Sequence, residues 1–208
     1  MTGGASDPAL IRYYDRRAAE YDDWYLASGL FADRERPEWE TELAAVVDVI
    51  ASLDPKRTLD VACGTAFITR HLPGNVVALD FSQAMLDITR CRISTALVRG
   101  DALALPFGDG TFERIFTGHF YGHLRDDERT TFLREARRVG HELIVLDAAR
   151  GEGVAGEQMQ ERVLSDGSRH MVYKRFFRPR QLATELGRAA ALFEGRWFLL
   201  VSSAEPPS

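Results

Sequence analysis

The chain has 208 residues, 45% of them hydrophobic and 27% charged, with a formal net charge of −5. That length suits one domain with or without a cap, and the composition supplies both a core and a charged surface. The acidic balance disfavours broad binding to nucleic acid, no stretch reaches the ~18 apolar residues of a membrane span, and Met1–Asp7 lacks the regions of a signal peptide, so a cytoplasmic protein is expected.

Asp7 before Pro8 reads as an N-cap with proline at the first helical position, predicting a helix from Pro8 toward Tyr25. Its aromatic residues, Tyr13, Tyr14, Tyr21, Trp24 and Tyr25, fall at helical spacing, as a core face, a dimer face or a pocket wall would require. Pro37 opens a second helix with Trp39, Leu43, Val46, Val47 and Ile50 on one stripe. Then comes Thr58–Thr69, TLDVACGTAFIT, with the grammar of a strand, a tight turn and a helix N-terminus running to about His71. Two readings stand for that turn: a ligand cradle, or a tight turn with no ligand. Cys63 within it and Cys91 form neither a disulfide framework nor a metal spacing, so no metal is expected and Cys63 reads as a small buried residue.

Val76–Asp80 is a second strand ending in an acid, about 20 residues after the first, where nucleotide-binding α/β folds place a ribose acceptor. Ser82 caps the next helix, through Met85, Leu86 and Ile88. A third strand ends at Asp101, Asp109-Gly110 turns the chain, and Phe112–Thr117 is a fourth strand. The loop Gly118–Leu124 leaves that strand at its carboxyl end, where ligands of open α/β sheets bind. His119 is the candidate there for a general base or for orienting a substrate, and Tyr121 for a hydrogen bond to it. His123 is read as bonding backbone in the loop.

Asp126 and Asp127 begin a helix that Gly140 stops, and Glu142–Ala148 is the fifth strand. Next, Arg162–Ser165 and Ser168–Tyr173 flank Asp166-Gly167, a two-residue hairpin signal. This hairpin is rich in cations, with Arg162, Arg169, Lys174, Arg175, Arg178 and Arg180 against Asp166 alone. It is either a solvated face or a site for a substrate carboxylate or phosphate. Pro179–Gly187 is a last helix, Ala189–Phe193 and Trp197–Ser202 a closing antiparallel pair, and Ala204–Ser208 a tail.

The order of these pieces resembles the class I S-adenosylmethionine-dependent methyltransferases, of the small-molecule type, over about Tyr13–Ala148. Asp60-x-Ala62-x-Gly64-x-Ala66 resembles their D-x-G-x-G-x-G turn, with alanine at the first and third glycine positions. Ala62 is compatible with that turn where its φ is negative. Ala102–Phe107 with Asp109–Glu113 resembles A-x-x-L-P-F-x-D-x-S-F-D, and Tyr13–Tyr25 resembles a helix that closes over the cofactor. Glu135–Gly140 resembles E-x-x-R-V-L-x-P-G-G without its proline and final glycine pair.

The resemblance implies a Rossmann-like, doubly wound α/β fold in three layers, with a seven-stranded, mostly parallel sheet, an antiparallel edge strand and an inserted β-hairpin cap. It implies one domain over 1–208, with an N-terminal helical lid at 1–36 and the hairpin insertion at 151–178 near the mouth of the site. The cofactor would be S-adenosyl-L-methionine, with S-adenosyl-L-homocysteine as product. Its implied contacts are Tyr13 and Tyr21 from the lid; Asp60, Ala62, Gly64 and Thr65 at the turn; Asp80 on ribose; Phe81 and Met85 about adenine; Asp101 and Ala102; and Gly118. A small-molecule acceptor and a monomer or homodimer are expected. The alternatives are a catalytically silent S-adenosylmethionine-binding module and, lacking G-x-G-x-x-G, a nicotinamide-dependent oxidoreductase.

Overall fold

The computed structural model describes residues 8–187 and 189–203, so the Asp7 cap and the Ala204–Ser208 tail lie outside the described residues. Five strands pair in parallel: β1 (Lys56–Val61), β2 (Gly74–Asp80), β3 (Ala96–Arg99), β4 (Phe112–Gly118) and β5 (Gly140–Ala148). A separate antiparallel hairpin follows, β6 (Glu157–Val163) and β7 (Arg169–Arg175). The chain then closes the main sheet with β8 (Ala189–Glu194) and β9 (Phe198–Ser203), where β9 runs antiparallel to both β5 and β8. The seven-stranded order is β3-β2-β1-β4-β5-β9-β8, the Rossmann-like sheet that the resemblance implies.

Side-chain alternation along the central strands builds three layers, because successive residues point to opposite faces. Ile115, Leu143, Val145, Leu199 and Val201 belong to one core, shared with the helices α5 (Asp126–Val139) and α6 (Pro179–Leu186). Their neighbours Phe116, Ile144, Leu146, Phe198 and Leu200 belong to the other, shared with α3 (Trp39–Ala51). α5 presents Phe132, Ala136 and Val139 inward at helical spacing. Burying Phe132 alone is worth about 1.5–3 kcal/mol. On the far strands, Leu86 of α4 (Gln83–Arg92) packs on Ala78 and Cys63. Ser82 caps that helix as expected, its Oγ accepting from Met85 N–H at 3.2 Å.

Four local expectations need correction. The N-terminal helix is broken: α1 (Pro8–Arg17) gives way to a 3₁₀ turn at Ala18–Glu20 and a short α2 (Asp23–Leu26), which ends at Ala27 with φ +51°. No α-helix follows β1; the chain makes turns and one 3₁₀ turn, Thr69–His71, because few residues separate Ala66 from Pro73. Strand β3 stops at Arg99, leaving Asp101 in an isolated bridge with Ala104. The hairpin loop holds three residues, since Leu164 N–H bonds the Ser168 carbonyl and Gly167 sits at φ +79°. That is the geometry of a turn ending in a glycine bulge. Among the described residues no helix is long and apolar enough to cross a membrane, and no cluster of three or more His, Cys, Asp or Glu is placed to hold a metal.

Candidate active site

Strand order reverses direction about β1, with β2 on one side and β4 on the other, and the crevice beyond the carboxyl ends of such strands is where α/β sheets bind ligands. The turn leaving β1 places Ala62, Gly64 and Ala66 at φ +60°, +55° and +62°. All three glycine positions of the resemblance are therefore left-handed, so the negative φ under which Ala62 suits the turn is not met. Each alanine there costs about 1–2 kcal/mol relative to a right-handed conformation. The turn is held regardless. Cys63 N–H bonds the Leu79 carbonyl at 3.0 Å, the Thr89 hydroxyl donates to the Gly64 carbonyl at 2.8 Å, and Ala66 is fully buried. Burial drives the Cys63 thiol well up, so it stays protonated and inert.

Asp80, at the end of β2, faces this turn across the crevice. Its Oδ2 accepts from Gly64 N–H at 2.9 Å and its Oδ1 from Ser82 N–H at 2.8 Å. Burial pushes its carboxyl up to about 6, although the backbone donors favour the charge. Asp60 lies deeper, accepting from the Thr69 hydroxyl at 2.6 Å, and burial pushes it to about 7.

The cleft between these groups is lined by Gly64, Asp80, Phe81, Met85, Gly118 and Ala62, and is covered by Leu10, Tyr14 and Tyr21. It measures about 50 Å³ with the N-terminal segment closed on it. Two ties fix that cover. Asp15 accepts from the Ser82 hydroxyl at 2.5 Å, and Asp22 accepts from the Thr65 hydroxyl at 2.5 Å while pairing with Arg92 at 2.5 Å. Small pockets extend the cleft beneath the turn, where Asp60 lies, and toward Asp101, Ala102 and Phe120.

His119 follows β4 in a left-handed conformation, φ +56°, and lines the cleft. Strained backbone of this kind clusters at functional sites. Its Nδ1 lies 4.0 Å from Asp147 Oδ1 and its Nε2 is buried with no hydrogen-bond partner. Burial pushes the imidazole down to about 3; Asp147 opposes that and Lys174 adds to it. It is therefore neutral near pH 7. His123 bonds backbone, as expected, but that of the hairpin: its Nδ1 lies 2.7 Å from the Tyr173 carbonyl oxygen.

Not every expected residue reaches the cleft. Tyr13 packs against Leu164 and Val172 of the hairpin, its hydroxyl accepting from Arg17 at 2.8 Å, and Tyr14 takes the place expected for it. Thr65 points back at Asp22. Tyr121 begins a 3₁₀ turn (Tyr121–His123) that rotates its ring into the core between Phe132 and Phe177, its hydroxyl donating to Glu185 at 3.3 Å.

Asp147, at the end of β5, is an unexpected member of the site. It is fully buried and accepts from Gly122 N–H at 2.7 Å and from Lys174 Nζ at 2.5 Å. Burial works against its charge, yet Lys174 beside it holds the carboxyl below its ordinary value. An apolar strand ending in an acid, ELIVLDA, was the signal for it, as it was for Asp80.

Residues 59–142 match the family model for a methyltransferase domain. Demethylmenaquinone methyltransferase of Thermotoga maritima is 32% identical over 143 residues, covering 66% of this chain and 59% of that protein. The same enzyme of Shouchella clausii is 28% identical over 153 residues, covering 66% of this chain and 63% of that one. The chain thus spans about three-fifths of the length of these relatives. Among solved structures, the DhpI–SAM–HEP complex superposes with a TM-score of 0.74 at 22% identity, over 97% of this chain and 99% of that one. The glycopeptide N-methyltransferase MtfA with sinefungin gives 0.59 at 18% identity, over 80% and 94%. At these identities the superpositions speak for the fold, and the sequence match for the domain. Residues 59–142 thus match the methyltransferase-domain model, and the chain shares its Rossmann-like fold with solved methyltransferases.

Proposed function

We propose that the chain is an S-adenosyl-L-methionine-dependent methyltransferase acting on a small-molecule acceptor, in the cytoplasm, as a monomer or homodimer, without nucleic-acid or membrane partners. One observation carries this reading. The crevice at the switch point brings together a strand-end carboxylate with acceptor capacity to spare, the backbone turn at Gly64, and the apolar Phe81 and Met85. Each Asp80 oxygen accepts one backbone N–H and has a second lone pair for a ribose hydroxyl.

The residues therefore fit the cofactor in kind. Asp80 would hold the ribose, Asp101 and Ala102 the adenine edge, Phe81 and Met85 its faces, and Ala62, Gly64 and Gly118 the methionine end, with Asp60 beneath the turn. Tyr21, with Tyr14, would form the lid, which must lift to admit a ligand to so narrow a cleft. Tyr13 and Thr65 would hold that lid in place, and Tyr121 would support the 118–124 loop from beneath. When bound, the cofactor supplies a methyl group already activated on a sulfonium. The chain's own task is to align the acceptor and exclude water. His119, neutral and with a free buried Nε2, would orient the acceptor or take its proton.

Calorimetric titration with S-adenosylhomocysteine, with NAD as a control, tests the proposal. Micromolar binding of the first alone is expected. Binding of NAD alone would replace the reading with the oxidoreductase, and binding of the first without turnover of any acceptor class would favour the silent module.

A further inference from the structure

A larger cavity of about 320 Å³ adjoins the cofactor cleft, and Tyr14, Tyr21, His119 and His123 wall both. Its charged lining is Arg17, Arg34, Arg36, Arg162, Lys174 and Glu35. Glu35 is the one carboxylate among them, and Lys174 is neutralised by buried Asp147, so three positive charges are left in a chain whose net charge is −5. None of the four arginines makes an ion pair among the described residues. A concentration of one sign within low-dielectric walls focuses its field on the cavity.

The hydrogen-bond inventory is more specific. A guanidinium has five N–H donors and no acceptor. Arg36 places Nη1 on the Trp24 carbonyl at 2.8 Å, while its Nε and Nη2 are buried without partners. Arg162 places Nη2 on Gln160 at 2.5 Å, while its Nε is buried without a partner. The two come from different elements, Arg36 from the segment before α3 and Arg162 from β6. Both are confined: Arg36 lies 4.1 Å over the Trp39 ring, and Arg162 sits in the hairpin sheet. Like charges crowd them. Burial and then Arg17 hold the Arg162 guanidinium below its ordinary value, and burial and then Arg34 do so for Arg36. Unpaired buried donors on cations repelled by neighbouring arginines lack one thing, an oxyanion able to accept from planar forks. Apart from Gln160 the rest of the wall is aromatic, including Trp24, Trp39, Phe176 and Trp197, which suits an apolar remainder.

We propose that this cavity holds the methyl acceptor by an anionic group, a carboxylate or phosphoryl oxyanion, bound between Arg36 and Arg162, with the acceptor's other end toward His119. The inference rests on the methyltransferase reading for the identity of the acceptor, and on the cavity alone for the anion. It also singles out Arg162 among the hairpin arginines. Strand alternation turns Arg169 and Arg175 away, Arg169 onto exposed Glu161 at 2.7 Å and Arg175 onto Glu185.

The test titrates benzoate, phenyl phosphate and neutral benzamide into the full chain, each with and without saturating S-adenosylhomocysteine. Binding of benzoate, phenyl phosphate or both at about millimolar Kd is expected, with none of benzamide. The stronger arm identifies the oxyanion. R36Q and R162Q should each weaken the anion at least tenfold, with S-adenosylhomocysteine affinity within threefold of the wild type. R162K, which keeps charge but loses the fork, should fall between. R169Q should bind as the wild type does. Thermal melts show which variants fold, and loss of wild-type anion binding as salt is raised supplies a readout that needs no variant. Equal binding of benzamide, no anion binding, or anion binding unchanged in R36Q and R162Q overturns the proposal. Anion binding without S-adenosylhomocysteine binding leaves the anion site standing and overturns the cofactor reading instead.

Discussion

Cofactor affinity should weaken in acid through Asp80. Its carboxyl stands at about 6 in the free protein against an ordinary 3.8, because it is buried. Folding thus favours the protonated form, a stabilisation present below the unfolded value and lost as pH rises through about 6. A ribose hydroxyl donating to Asp80 requires the opposite, the ionised form. Binding should therefore expel a proton, and affinity should rise with pH until Asp80 is ionised beforehand. One unit below its folded value about a tenth of the carboxyl is ionised, so affinity at pH 5 should be about tenfold below its plateau, or about 1.4 kcal/mol. If the bound carboxyl returns to its ordinary value, the full range is about 100-fold, or about 3 kcal/mol.

Calorimetry with S-adenosylhomocysteine at pH 5, 6, 7 and 8, in buffers of different ionisation enthalpy, reads both affinity and proton release. D80N removes the titration while its carbonyl can still accept from Gly64 N–H, so its affinity should be weak and flat with pH. D60N controls for the neighbour pushed to about 7, which bonds Thr69 instead, and should leave the acid limb in place. A flat wild-type profile, or an acid limb that survives in D80N, would refute the assignment of the ribose to Asp80.

Three further outcomes can be measured. H119A should lower kcat at least tenfold with S-adenosylhomocysteine affinity nearly unchanged. Since burial holds His119 at about 3, the wild-type kcat should show no limb near pH 6.5 that vanishes in H119Q; such a limb would contradict the neutral imidazole. K174M leaves the Asp147 charge buried and alone, a loss of about 3–5 kcal/mol, seen as a Tm lower by roughly 10 °C or more; the double variant K174M/D147N should recover most of it. A62G relieves about 1–2 kcal/mol of left-handed strain and returns about 0.4–1 kcal/mol through the freer unfolded chain. Its urea midpoint should rise slightly or hold, and a clear fall would mean that the methyl group is well packed.

Much of the sheet was legible because its strands centre on apolar residues, and the runs leading to Asp80 and Asp147, with Asp101 just past β3, mark the carboxyl edge where ligands bind. Asp80 and His119 could be placed from that edge, and Phe81, Met85 and Gly118 from the resemblance. What was not legible has physical causes. The sign of φ at Ala62 and Ala66 is hidden, because alanine announces nothing about a left-handed backbone that glycine would have signalled. Tyr121 looked like a loop residue facing substrate, but one 3₁₀ turn reverses where a ring points. Arg36 and Arg162 lie on distant segments, so their lining one cavity is a property of the tertiary fold. The missing helix after β1, by contrast, was readable from Pro73, which leaves too short a stretch after Ala66 for an α-helix.

The buried Lys174–Asp147 pair also explains how the hairpin selects which of its cations enter the cavity. β6 and β7 form a two-stranded sheet with many polar side chains, a setting in which pairing register is weakly specified. In the observed register Arg162 opposes His170 and Gln160 opposes Val172, so that Gln160, Arg162, His170, Val172 and Lys174 share a face. A one-residue slip of β7 would turn Lys174 outward and bring Arg169 and Arg175 in. Lys174 reaching the end of β5 rejects that slip, because Asp147 would then be a buried charge without its partner. The His123 bond to the Tyr173 carbonyl secures the same strand from the β4 loop. A pair that contributes little net stability after desolvation thus sets the position of Arg162, and with it the charge of the cavity beside His119.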